Sequence, residues 1–185
     1  MHFGKKLQYL LLVAITLFCG NASAADEFET VRCGSDIPKA MIGKHSPTTR
    51  KLVPEVEYKS LALRNLGTDM IDDNIYYTIW SICGAEYYEL VGSHHVVADV
   101  LPIPVHSRTT PAMNYTRCFL NGHEMDENIF AILNNRSGEN KKYDATDMTK
   151  IPAIEAWRVD KKKMRFIKID ASGIYCLRSA ASSAF

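Results

Sequence analysis

Ile75-Tyr76-Tyr77-Thr78-Ile79-Trp80-Ser81-Ile82-Cys83 is almost entirely β-branched or aromatic, the composition of a strand buried on at least one face. A helical rival exists, with Asp72 or Asp73 as cap and Ile71, Ile75 and Ile79 at helical spacing, but so many side chains stiff at χ1 favour the extended chain. Gly84-Ala85 breaks the run. Residues 86–91 and 96–101 are then apolar-rich segments on either side of Gly92-Ser93-His94-His95, which predicts a hairpin with a four-residue turn. Pro102 and Pro104 stop its second strand, since proline cannot donate to the ladder.

Further along, residues 105–115 read as a loop and Ile129-Phe130-Ala131-Ile132-Leu133 as another buried strand. Residues 134–150 are the most polar stretch and predict a long exposed loop. Residues 154–159 and 164–169 flank Asp160-Lys161-Lys162-Lys163, a second hairpin with a charged tip, and residues 173–177 supply a last strand carrying Cys176. On the N-terminal side, residues 35–43 predict one short helix. Ser35 or Asp36 can cap it, Pro38 fits the first turn, and Gly43 can take the left-handed conformation that ends it. Residues 45–54, with two prolines, are a connection, and residues 57–63 a short strand. The fold class is therefore mainly β: an antiparallel sandwich or partly closed barrel of about six to eight strands with one short N-terminal helix.

Residues 1–24 have the three-part design of a secretory signal peptide: basic Lys5-Lys6, an apolar stretch over residues 7–18, and Ala22-Ser23-Ala24 before the cut. Residues 25–185 then form a single disulfide-containing domain, exported to the periplasm or the extracellular space. The apolar stretch is shorter than the roughly 20 residues a spanning helix needs, so no membrane span follows leader cleavage. Cys19 as a lipidated N-terminus is disfavoured by the bulky Phe18 before it. Loss of Cys19 with the leader leaves Cys33, Cys83, Cys118 and Cys176, an even set bound for an oxidising compartment, and hence two disulfides. Three pairings are possible. Cys33 with Cys176 would tie the chain ends together across the sheet, which makes that pair and Cys83 with Cys118 the expected connectivity. None of the four lies at the spacing of roughly two to four residues usual in a structural zinc site.

Hydrophobic residues at 46% and charged residues at 23% suit a globular chain and exclude wholesale disorder or a collagen-like repeat. The leader removes two of the 22 basic residues, leaving 20 against 21 acidic, so no field exists to attract nucleic acid. No glycine-rich phosphate loop or nucleophile elbow is present.

His94, His95, His106 and His123 with Asp99 are the one grouping that suggests a metal, but adjacent histidines on an extended chain point to opposite sides. His106 beside Ser107, with Asp99 nearby, is the one grouping that suggests acyl transfer. Acidic groups such as Asp72-Asp73 and Glu124 with Asp126-Glu127 more often cap turns than act as a glycosidase pair. Asn114-Tyr115-Thr116 and Asn135-Arg136-Ser137 fit the glycan acceptor pattern. The doublets Tyr76-Tyr77 and Tyr87-Tyr88 must place one ring on each face of a strand, leaving one of each pair for a contact surface.

The expectation is thus a non-enzymatic binding or inhibitor module without cofactor or metal. It would engage a protein or cell-envelope component through Tyr87, Tyr88, His94, His95, Lys161, Lys162 and Lys163. A small secreted hydrolase or a histidine-based metal binder is the alternative. The mature protein is expected to begin at Ala25, by intact mass; a chain beginning at Cys19 with added lipid mass overturns this reading of the leader.

Overall fold

The computed structural model describes residues 31–47, 59–107, 110, 112–113, 117–121, 124–126, 128–135 and 148–177. The expected leader, the expected loop over residues 136–147, His123, Asn114 and the tail from residue 178 lie outside the described residues.

The fold is two antiparallel sheets with a short N-terminal layer over the first, and neither sheet closes into a barrel. The decisive segment is a strand, β2 (Ile75–Ile82), between β1 (Arg64–Asp72) and β3 (Ala85–Val91), with β4 (Val97–Pro102) completing the first sheet in the order β1-β2-β3-β4. The second sheet is built from β5 (Ala112–Met113), β6 (Cys118–Leu120), β7 (Glu124–Asp126), β8 (Ile129–Leu133), β9 (Lys150–Asp160), β10 (Arg165–Ile169) and β11 (Ile174–Leu177). Its order is β5-β8-β9-β11-β6-β7, and β10 also pairs with β9. The predicted hairpins around residues 92–95 and 160–163 both form.

The sheets are joined by rings. Tyr77 of β2 and Tyr88 of β3 meet Phe130 of β8 at centroid separations of 5.1 and 4.7 Å, and Phe166 of β10 meets Phe130 at 5.4 Å, all steeply tilted or edge-on. Ile79, Leu90, Ile132, Trp157 and Val159 fill the space around them. Unbroken apolar runs follow from this layering. Every residue of β8 is buried because Phe130 and Ile132 face the first sheet while Ile129, Ala131 and Leu133 pack with Ile151, Ala156, Ile174 and the Cys118–Cys176 bridge on the other side. The other face of β2 carries Trp80 and Ile82, which pack with Val31, Ile37, Met41, Leu61, Val97 and Val100.

That layer contains α1 (Ile37–Met41), the expected helix. Asp36 caps it by accepting from the Lys39 amide, Pro38 sits in the first turn, and Gly43 leaves it at φ +82°. Of the strand expected at residues 57–63, residues 57 and 58 lie outside the described residues, Lys59–Leu61 is a single 3-10 turn, and the strand begins only at Arg64. β1 escapes sequence reading because its side chains are mostly exposed, and register irregularities between Asn65 and Gly67 and between Met70 and Asp72 break its alternation.

The expected disulfide pairing is corrected. The bridges are Cys33–Cys83 and Cys118–Cys176. The first ties the N-terminal layer to the end of β2. The second joins β6 to β11, where the two cysteines stand directly opposite each other. Neither bridge links the chain ends: Cys33 bonds Cys83, which packs against the outer cluster of the first sheet, while Cys176 lies in that of the second. Two disulfides suit an oxidising compartment, and no helix among the described residues is long and apolar enough to cross a membrane.

Phe130→Ala removes the ring that joins both sheets and is expected to cost about 3–5 kcal/mol, read as a lower denaturation midpoint with both disulfides intact. A loss below about 1 kcal/mol would mean that the rings do not hold the sheets together.

Candidate functional site

Three connections meet at one end of the sandwich. The β3–β4 turn, Gly92 to Val96, carries His94 and His95; the β9–β10 tip carries Lys161, Lys162, Lys163 and Met164; the β1–β2 turn carries Asp72 and Asp73. They belong to both sheets and touch. Lys161 Nζ lies 3.2 Å from Asp72 Oδ2 and donates to the Ile71 carbonyl, and a Cβ at Gly92 would stand 3.0 Å from the Met164 methyl. Tyr76, opposite Val91 on the neighbouring strand, puts its hydroxyl 3.2 Å from His95 Nδ1.

The backbone here is unusual. His94, His95 and Met164 have φ of 60°, 60° and 49°, a left-handed conformation that costs an ordinary residue of order 1 kcal/mol and that histidine adopts more readily than most. It turns the chain within four residues and leaves both imidazoles exposed, that of His95 beside Tyr76 of β2. The tip is not an uncompensated basic patch. Lys161 pairs with Asp72 and Lys163 approaches Asp160 at 3.8 Å, while Asp160 also accepts from the backbone amides of Lys162 and Lys163. The amide of Asp73 and the Lys161 ammonium hold the Asp72 carboxyl below the usual carboxylate range. Asp160 is lowered as well, chiefly by the Lys163 amide.

The structure brings together five of the seven expected contact residues: His94, His95, Lys161, Lys162 and Lys163. Tyr88 is corrected. It is 2% exposed within the ring cluster, so it is the inward member of its doublet, and burial pushes its phenol well above the ordinary value. Tyr87 is the other member, but it is partly buried against the Trp80 cluster and opposite Pro102, at the end of β3 remote from the histidines. Tyr76 is the missed residue. The doublet rule offered it alongside Tyr77; its pairing with His95 depends on a register no local pattern reveals.

The residues of the hydrolase alternative go to separate partners. His106 Nε2 lies 2.7 Å from Glu86 Oε2, near the opposite end of β3, and its buried Nδ1 meets nothing. Ser107 Oγ bonds Thr110 Oγ1 instead of the imidazole. Asp99 accepts from the Val100 amide at 2.9 Å and from the Phe166 amide at 2.7 Å, which fastens the edge of the first sheet to β10 of the second. Among the described residues no three histidines, cysteines or acids converge to hold a metal. Asn135, in the second glycan acceptor pattern, is buried and would have to leave the core to be modified. Comparison with known protein families, with characterised proteins and with solved structures finds no match.

Asp99→Ala is expected to lower stability by about 1–3 kcal/mol because it leaves two amides at the sandwich seam without an acceptor. Ser107→Ala is expected to stay within about 0.5 kcal/mol, both by chemical denaturation. Equal, small effects would remove Asp99 from this structural role.

Proposed function

We propose that this chain is an exported, non-catalytic binding module that engages a protein or cell-envelope component with the end of the sandwich formed by the β3–β4 turn and the β9–β10 tip. The observation that carries the reading is convergence. The turns that carry residues 94–95 and 161–163 are far apart in sequence and come from different sheets, yet lie at the same end, where Met164 closely approaches Gly92 and Lys161 pairs with Asp72 at the end of β1. Two exposed imidazoles and a lysine tip, interleaved with carboxylates, make a polar surface of mixed sign. Such a surface selects a partner by charge pattern and hydrogen bonding more than by burying apolar area. Two disulfides and two packed sheets give it a rigid base, so little ordering entropy is lost on contact.

The reading favours a proteinaceous partner over a bare anionic polymer, because the acids at Asp72, Asp73 and Asp160 offset the lysines. The test is co-sedimentation of the purified oxidised protein with the cell-envelope fraction of its source, before and after protease treatment of that fraction. Wild-type binding that falls at least tenfold in the variant with alanine at His94, His95, Lys161, Lys162 and Lys163, and that is abolished by protease treatment, is the expected result. The Tyr87→Ala variant should bind as wild type. Undiminished binding by the five-residue variant overturns the site.

A further inference from the structure

Glu89 is a buried acid at the centre of the first sheet, and its hydrogen-bond partners come from both the sheet and the N-terminal layer. It stands on β3 between Thr78 of β2 and Val100 of β4, with no exposed surface. Its Oε2 accepts from Trp80 Nε1 at 2.7 Å, within the sheet, and from Ser46 Oγ at 2.8 Å, in the N-terminal layer. Its Oε1 is buried and accepts from nothing. Ionised, this group would be a buried charge with one oxygen unsatisfied and, among the described residues, no cation bonded to it, an expensive arrangement.

The segment bearing Ser46 runs along the edge of the sheet, with His45 bridged to Val96. Gly43 donates to the Val97 carbonyl, Val97 to the Lys44 carbonyl and Ser46 to the His95 carbonyl, each at 2.8 Å. Upstream it is tethered covalently by Cys33–Cys83. Between tether and latch lie Ile37 and Met41, which cover Trp80, Ile82, Val97 and Val100.

We propose that Glu89 is a proton-operated latch: protonated, it holds the Ser46 segment against the sheet, and ionised, it releases residues 43–46 and admits water beside the Glu89 carboxyl and Trp80 Nε1. Detaching residues 43–46 is the least disruptive way to bring water to the stranded oxygen, because Trp80 and Glu89 themselves lie in a central pair of strands. Burial is the main cause that moves this carboxyl from its ordinary value of 4.5 up to about 7, against the lowering effect of the Trp80 and Ser46 hydrogen bonds. The sign follows. The folded state keeps a proton that the unfolded chain gives up near 4.5, so the stabilisation is complete below that pH and is lost as pH rises towards about 7.

Other titratable groups on the packed elements are Tyr76 of β2, whose hydroxyl is engaged by His95, Tyr87 of β3, Lys39 of α1, and Lys44 and His45 next to Ser46. Glu86 and Asp99 serve His106 and the Phe166 amide instead. His45, directly before Ser46, and His95, whose carbonyl accepts from the Ser46 amide, are the imidazoles that flank the latch.

The experiment is amide hydrogen exchange on the full oxidised chain between pH 5.5 and 8.5, corrected for intrinsic exchange, with Trp80 fluorescence followed in parallel. Corrected exchange at Gly43, Ser46 and Val97 is expected to rise at least tenfold with a midpoint near 7, while β8 and β9 stay protected. Glu89→Gln should hold the segment closed across the range, and His45→Asn should leave the transition in place. Should Glu89→Gln not fold, Ser46→Ala carries the test, its midpoint moving to higher pH because a bond that favours the ionised form is gone. No pH-dependent opening, opening that survives Glu89→Gln, loss of the transition in His45→Asn, or an unmoved midpoint in Ser46→Ala each overturns the latch.

Discussion

Phe130 meets Tyr77 and Tyr88 of one sheet at steep interplanar angles and packs against Phe166 from its own. Much of the rest of the molecule is arranged around that contact. Rings meeting edge-to-face fix both the separation of two layers and their rotation, because the positive rim of one ring seeks the face of the next. An aliphatic core of the same volume would hold the sheets together with less control over their relative angle. Here the angle matters, since it places the β9–β10 tip beside the β3–β4 turn. Phe166 is only two residues beyond Met164, so the position of the core ring sets where the tip's methyl meets Gly92. The exposed end is therefore a consequence of the buried centre.

The disulfides divide the work with the rings. Cys33–Cys83 secures the N-terminal layer to one face of the first sheet, and Cys118–Cys176 secures short β6 to β11 at the far side of the second. Both bridges secure short elements: a five-residue helix and a three-residue strand would contribute little on their own. The interface between the sheets has no covalent link among the described residues and does not need one.

The strands read most directly in the sequence are those covered on both faces. Residues 75–82 and 129–133 are such strands, so their branched and aromatic runs report burial directly, while residues 154–159 and 164–169 show through the partial alternation of half-covered strands. β1 could not be read, because an edge strand with exposed faces and two irregularities has no periodicity to find. β6 and β7, at three residues each, are shorter than any pattern. The disulfide pairing failed for a related reason: it depends on which sheet each cysteine enters, and that is decided by contacts between distant segments. Of the exposed end, the turn histidines and the lysine tip were legible as polar interruptions of hairpins. That they share one surface was not, and neither was Glu89, whose only local signal is one acid inside the apolar segment Tyr87 to Val91.

The edges of the first sheet bear on how this protein could meet a partner. A free edge strand invites pairing with another chain. At β1 the Gly67 amide is taken by Asn65 Oδ1 and the Met70 amide by Asp69 Oδ1, each at 2.8 Å, and the two register irregularities bend the strand away from flatness. Asp69 lies opposite Tyr77, on the core-facing side, where a carboxylate would be buried by any strand added there. At β4 the edge is already used, by residues 43–46 along one stretch and by the Asp99 link to β10 along the next. With one edge blunted and the other occupied, strand addition to this sheet would require displacing bonds already made. Contact through the turns requires displacing none, and the end where three turns from both sheets converge is where the fold leaves side chains rather than backbone to make the encounter.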